Sequence, residues 1–179
     1  WDGRRSRRDL AALAAALGSD VPFFLQGGTA LGVGRGEELY PVDDIHRVSV
    51  VVIKPSFGIA TADAYRWLDE DRAARTETPA PSRPPVELGW ATGLVILHND
   101  LQRPVASRHA AIDEMVTSCV SEGALGAAMT GSGSAVFGLF PESVARRAAE
   151  RLKRPDWLVT LTRTSDRREA GRRMGAAGS

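Results

Sequence analysis

Lysine is nearly absent from this 179-residue chain: Lys54 and Lys153 are the only two, against a large arginine complement. A phosphate-binding loop of the Gly-Lys-Ser/Thr type is thereby excluded, because neither lysine follows a glycine run. Cys119 is the single cysteine, so no internal disulfide and no cysteine metal cluster can form; this suits a reducing, cytoplasmic setting. The three histidines, His46, His98 and His109, lie in different segments without metal-ligand spacing, and no metal site is expected. No apolar run reaches membrane-spanning length. Acids and bases nearly cancel, leaving a formal net charge of +1, which argues against a protein that gains affinity for nucleic acid from a broad basic face. An initiator methionine and the apolar centre of a secretory signal are also lacking, and the start at Trp1 reads as a cut.

What is present is an alternation of helical and extended patterns. Leu10, Leu13, Ala14 and Leu17 recur on one helical face, and Gly18 stands where a left-handed residue ends a helix. Pro22 then bars helix continuation and biases Val21 toward extended backbone. From Phe23 to Val42, apolar stretches broken by Gly27, Gly28, Gly32, Gly34 and Gly36 predict short strands joined by tight turns. Val48–Ile53 is rich in β-branched residues and closed by Pro55, which predicts a buried strand. Thr61 is placed to cap a helix carrying Ala64, Tyr65, Trp67 and Leu68. Residues 73–85, with four prolines, are predicted to form a surface loop.

A helix is predicted over Val86–Leu97, interrupted by Asn99-Asp100-Leu101 and Pro104. Another carries Ile112, Met115, Val116, Cys119 and Val120 on one face and ends at Gly123. Leu125–Thr130 and Ser134–Phe140 read as strands around the turn Gly131-Ser132-Gly133. Glu142–Lys153 reads as a helix, Trp157–Thr162 as a last strand, and the arginine- and glycine-rich residues from about Ser165 as a frayed tail. From Val48 onward the order is strand, helices, strand, strand, helix, strand. This is the split βαβ order of a ferredoxin-like α+β sandwich with extra helices in its first crossover.

Three groups of residues carry possible chemistry. Asp20 is held between a helix-ending glycine and Val21-Pro22, which suits either a fixed general base or an aspartate satisfying backbone N–H groups at a turn. Gly131-Ser132-Gly133-Ser134 lies between two strands, where successive N–H groups can form an anion-binding concavity or simply turn a hairpin. Its strand-to-strand setting is wrong for a nucleophile elbow. Thr61 and Tyr65 are one helical turn apart and project to the same side, either to grip a base or as a cap and a half-buried ring.

In order along the chain, Leu17-Gly18-Ser19-Asp20-Val21-Pro22-Phe23-Phe24, Gly36-Glu37-Glu38-Leu39, Thr61-Ala62, Asn99-Asp100-Leu101 and Met129-Thr130-Gly131-Ser132-Gly133-Ser134 resemble the 4-diphosphocytidyl-2-C-methyl-D-erythritol kinases of the GHMP kinase superfamily. The likeness runs from about Leu10 to Phe140. It implies ATP-dependent phosphorylation of the 2-hydroxyl of a cytidine diphosphate-linked methylerythritol in non-mevalonate isoprenoid synthesis, with Mg2+ following from the use of ATP. Asp20 matches the family's catalytic aspartate. Gly131, Ser132, Gly133 and Ser134 match a glycine-rich loop beside the phosphates, and Thr61 and Tyr65 match positions lining the cytidine pocket.

The resemblance further implies a GHMP kinase fold fragment: residues 1–44 as the end of an amino-terminal domain, 45–164 as a ferredoxin-like carboxy-terminal domain, and 165–179 as a flexible tail. The family's main ATP loop and its catalytic lysine have no counterpart in these residues, so the polypeptide alone is expected to be inactive. Homoserine- or mevalonate-type kinases share the glycine-rich motif and are the alternative within the superfamily. A non-catalytic ferredoxin-like binding module is the alternative outside it. The expected partner is a small-molecule substrate, with neither nucleic acid nor membrane.

Overall fold

The computed structural model describes residues 7–34, 36–45, 47–74, 86–89 and 94–176. The chain divides into two compact units, one of residues 48–163 and one of residues 1–47 with 164–179. Among the described residues, no helix is long and apolar enough to cross a membrane.

The larger unit is built on β3 (Ser49–Pro55), β6 (Gly126–Met129), β7 (Val136–Phe140) and β8 (Trp157–Arg163), in the spatial order β6-β7-β3-β8. Every neighbouring pair is antiparallel, with Val51 opposite Gly138 on one side and Leu161 on the other. In chain order the first and third strands of this sheet are therefore central and the second and fourth lie at its edges, as a split βαβ sandwich requires. Alternation along β3 and β7 sends Val51, Ile53, Val136 and Phe140 to one face, where they are fully buried. Helix α5 (Ala111–Ser121) covers this face with Ile112, Met115 and Cys119, and α6 (Glu142–Arg151) with Ala145, Ala148 and Ala149. At roughly 25 cal/mol per Å² of apolar surface removed from water, these aliphatic side chains are the principal source of the unit's stability. Helix α3 (Thr61–Ala73) adds Ala64 to the same core, and the short α4 (Gln102–Ala106) adds Val105 and Ala106.

The segment predicted as a helix over Val86–Leu97 is instead two strands, β4 (Val86–Gly89) and β5 (Leu94–Leu97), paired antiparallel with Val86 opposite Leu97. Val86, Val95 and Ile96 prefer extended backbone, and Gly89 weakens any helix through this stretch.

In the smaller unit, α1 (Arg7–Leu17) ends before Gly18 as expected, but Gly18 does not take the left-handed conformation expected there; its N–H instead bonds the Ala14 carbonyl. The next segment departs from expectation. Val21–Gln26 is a helix, α2, with Pro22 in its first turn. A proline there costs no hydrogen bond, because the first N–H groups of a helix have no partner within it. Strands β1 (Ala30–Val33) and β2 (Glu38–Pro41) form the expected hairpin, and Gly34 and Gly36 supply its positive-φ turn.

The predicted frayed tail is also overturned: Arg167–Ala176 is a helix, α7. Asp166 begins it by accepting the Glu169 N–H at 2.7 Å, a side-chain N-cap. Asp44 anchors it, accepting the Arg167 N–H at 2.9 Å on one oxygen and the Thr29 N–H at 2.8 Å on the other. The Arg167 guanidinium donates back to the Thr29 carbonyl at 2.8 Å. Gly27 is needed for this approach, since a Cβ on it would stand 2.5 Å from the Ala170 Cβ.

Candidate functional site

The glycine loop joins β6 to β7 and is closed by two of its own hydrogen bonds. The Thr130 N–H donates to the Ala135 carbonyl at 2.9 Å and the Gly133 N–H to the Thr130 carbonyl at 3.0 Å. Gly131 and Gly133 take φ values of 54° and 88°, where a side chain would be strained. A Cβ on Gly133 would also lie 2.8 Å from the Met129 Sδ and 3.3 Å from the Ile59 Cδ1, whereas Gly131 faces open space. The backbone bonds of the described residues leave the N–H groups of Gly131 and Ser132 out of the hairpin, so the loop has donors to offer an anion.

Ser134, Met129 and Ser132 each tie the loop to its surroundings. Ser134 is buried, and its hydroxyl donates to the Phe57 carbonyl at 2.6 Å, tying the loop to the segment that follows β3. The Met129 N–H, where β6 enters the loop, donates to the Gln102 side-chain carbonyl at 2.8 Å. The hydroxyls of Thr61 and Ser132 stand 3.0 Å apart within hydrogen-bonding reach. Thr61 is thus not the cap of α3, a position held by Ala60 with no side-chain cap bond; its hydroxyl serves the loop. One turn along α3, Tyr65 is 55% exposed, leaving its ring free to take a stacking partner. Thr61 and the loop residues Gly131, Ser132, Gly133 and Ser134 therefore form one neighbourhood in the larger unit, with Tyr65 one turn further along the helix that carries Thr61.

Asp20 belongs to the smaller unit, at the N-cap position of α2. Its φ and ψ of −84° and −15° are helical rather than extended, and its carboxylate makes no capping hydrogen bond. The reading of Asp20 as a turn aspartate satisfying the helix N–H groups is therefore not what the residue does. Gly36 comes close to it: a Cβ there would lie 3.7 Å from the Asp20 Oδ1.

Phe57 and Gln102 escaped the sequence reading. Phe57 contributes only a backbone carbonyl, which no side-chain pattern can announce. Gln102 directly follows the Asn99-Asp100-Leu101 motif, and that adjacency was the available signal. His109 stacks on Phe57 with ring centroids 5.1 Å apart, and Arg108 lies over the Trp67 ring while bonding Glu70 at 2.9 Å. These side chains brace α3 from behind. Among the described residues, no group of three or more His, Cys, Asp or Glu is placed to hold a metal ion.

Residues 87–155 match the family described as GHMP kinases C terminal. The chain carries the carboxy-terminal domain of the GHMP kinases. Over 147 residues it is 46% identical to 4-diphosphocytidyl-2-C-methyl-D-erythritol kinase of Anaeromyxobacter dehalogenans strain 2CP-C, covering 81% of this chain and 46% of that protein. A crystal structure of 4-(cytidine 5'-diphospho)-2C-methyl-D-erythritol kinase superposes with a TM-score of 0.74 and 33% identity, over 92% of this chain and 59% of that one. The homoserine kinase of Cytophaga hutchinsonii shares the fold, with a TM-score of 0.58 at 19% identity over 94% of this chain and 61% of that one. The chain thus spans about half the length of the curated relative. The matched residues contain the glycine loop with β6, β7, α4, α5 and α6, while β3, α3 and β8 lie outside them.

Proposed function

We propose that this chain is the carboxy-terminal part of an ATP-dependent small-molecule kinase that phosphorylates the 2-hydroxyl of 4-diphosphocytidyl-2-C-methyl-D-erythritol. The observation that carries this reading is the Thr61–Ser132 hydroxyl contact, which sets the substrate-side helix α3 directly against the glycine loop. The name of the Anaeromyxobacter relative supplies the acceptor. The homoserine kinase resembles the chain only at the level of fold.

In this reading Tyr65 stacks on the cytosine and Thr61 fixes the acceptor's approach to the loop. The glycine loop offers its unspent N–H groups to the edge of a phosphate group, because those of Gly131 and Ser132 stay out of the hairpin and Gly131 faces open space. ATP supplies the phosphoryl group, and Mg2+ arrives on its phosphates rather than in a protein cage, as this ion commonly does. Asp20 accepts the hydroxyl proton and orients the nucleophile. Phosphoryl transfer through a loose transition state asks mainly for positioning and charge neutralisation.

The test is ADP release by the full-length enzyme containing these residues, with the cytidylyl methylerythritol, homoserine and mevalonate as acceptors. Turnover with the first alone supports the proposal, and turnover with either of the others in preference to it overturns the substrate.

A further inference from the structure

The glycine loop is held from below by a side chain that the proposed reaction does not use. Asn99 Nδ2 donates to the Met129 carbonyl at 2.8 Å and to the Gly131 carbonyl at 2.9 Å, while its Oδ1 accepts the Leu101 N–H at 3.0 Å. The third bond sets which end of the carboxamide is which: two carbonyl oxygens require the NH2 group, and an N–H requires the oxygen. Both amide hydrogens are thereby spent on one loop, across 30 and 32 residues of sequence.

A trans peptide directs its C=O and its N–H to opposite sides. With the Gly131 carbonyl drawn toward Asn99, the N–H of Ser132, in the same peptide unit, must point away from it. The Met129 carbonyl drawn the same way sends the Thr130 N–H across the hairpin, where it meets the Ala135 carbonyl at 2.9 Å. Asn99 therefore sets both the closure of the loop and the direction of a donor that the loop itself does not use.

We infer that Asn99 is a positioning residue for nucleotide phosphate: its carboxamide holds the Met129 and Gly131 carbonyls so that the Ser132 N–H is presented to a phosphate oxygen. The inference rests on the kinase reading for the identity of the ligand. Asn99→Asp tests it with almost no change of volume. The carboxylate has no hydrogen to donate and sets negative oxygens against two carbonyl oxygens, so the loop must turn its peptides elsewhere. Asn99→Ala removes the donors without adding repulsion.

In the full-length enzyme, the expected result is an ATP KM raised about tenfold or more in Asn99→Asp and less in Asn99→Ala, the scale of losing a hydrogen bond to a charged group. The KM for the acceptor changes less than the ATP KM, since its cytosine is held by Tyr65 on α3 and not by the Ser132 N–H. A folded Asn99→Asp enzyme with an ATP KM within about twofold of the wild type overturns the inference. So does a fall in kcat that merely follows the folded fraction, or failure of both variants to fold, because either outcome leaves Asn99 a purely structural role. ATP binding by calorimetry without acceptor separates this from the proposed function. Should the wild type bind ATP tenfold tighter than Asn99→Asp and yet phosphorylate no cytidylyl acceptor, the substrate reading falls and the positioning role stands.

Discussion

Gly138 packs against Cys119 of α5, and replacing it with alanine tests the packing directly. It lies on β7 opposite Val51 of β3, facing inward. A Cβ added there would stand 2.7 Å from the Phe140 Cε2 and 3.2 and 3.3 Å from the Cys119 Cβ and Sγ. Phe140 and Cys119 are both essentially fully buried, so neither can yield without disturbing the core. Overpacking of this kind costs about 1–3 kcal/mol, and the reduced freedom of the unfolded chain returns somewhat less than 1 kcal/mol. The expected net loss is about 1–2 kcal/mol, or a fall in Tm of roughly 4–10 °C for a unit of this size.

The assay is urea denaturation followed by circular dichroism, in which the midpoint should fall with m unchanged. A Gly138→Ala, Phe140→Leu cycle then apportions the strain. Phe140→Leu alone destabilises by removing buried aromatic area. It also removes the ring that the new Cβ strikes, so alanine at 138 should cost about 1 kcal/mol less in that background. Gly138→Ala that is neutral or stabilising would refute the reasoning. An equal penalty in both backgrounds would show that the strain lies against α5 and not against the ring.

Three further outcomes are expected. Asp20→Asn in the full-length enzyme lowers kcat about 10²-fold, the scale of losing a positioned base, and a near-normal rate removes Asp20 from the mechanism. Hydrogen bonds from the Arg167 and Thr29 N–H groups hold the Asp44 carboxyl below its ordinary range, so the ionised form is the one that stabilises the fold. Its contribution is complete above the unfolded-state pKa and is lost as pH falls through the lower folded value. The protection factor of the Arg167 amide, taken against the intrinsic exchange rate at each pH, should fall in acid for the wild type, while Asp44→Asn lacks that protection throughout; equal protection in the two proteins would disprove the anchor. Burial pushes the Cys119 thiol up to about 11, so a thiol reagent at pH 8 should leave the folded protein unmodified and label it stoichiometrically in urea. Rapid labelling of the native chain would contradict the packing of α5.

Much of the larger unit is legible in the residues themselves. The β-branched run of β3, the apolar face of α5 and the alternation in β7 each repeat one signal over enough residues to outweigh its neighbours. The order of these elements leads to the split βαβ sandwich, and the spaced motifs around Asp20, Thr61, Asn99 and Gly131 point to the GHMP kinases. Elements misread from sequence were short or governed by partners far along the chain. Pro22 forbids a helix interior but suits a helix start, and the two uses cannot be told apart from residues 17–26 alone. Asp166 and Glu169 carry a legible N-cap, yet α7 is held by Asp44, 123 residues away.

The candidate site divides in the same way. Which residues could bind phosphate or stack on a base follows from their chemistry and spacing. That the Thr61 hydroxyl meets Ser132 instead of capping its own helix, and that Asn99 spends both amide hydrogens on two loop carbonyls, was decided only by the tertiary structure. A hydrogen bond depends on distances of about 3 Å, and between groups 30 to 70 residues apart such distances are set by the packing of the sheet against its helices, which no local pattern contains.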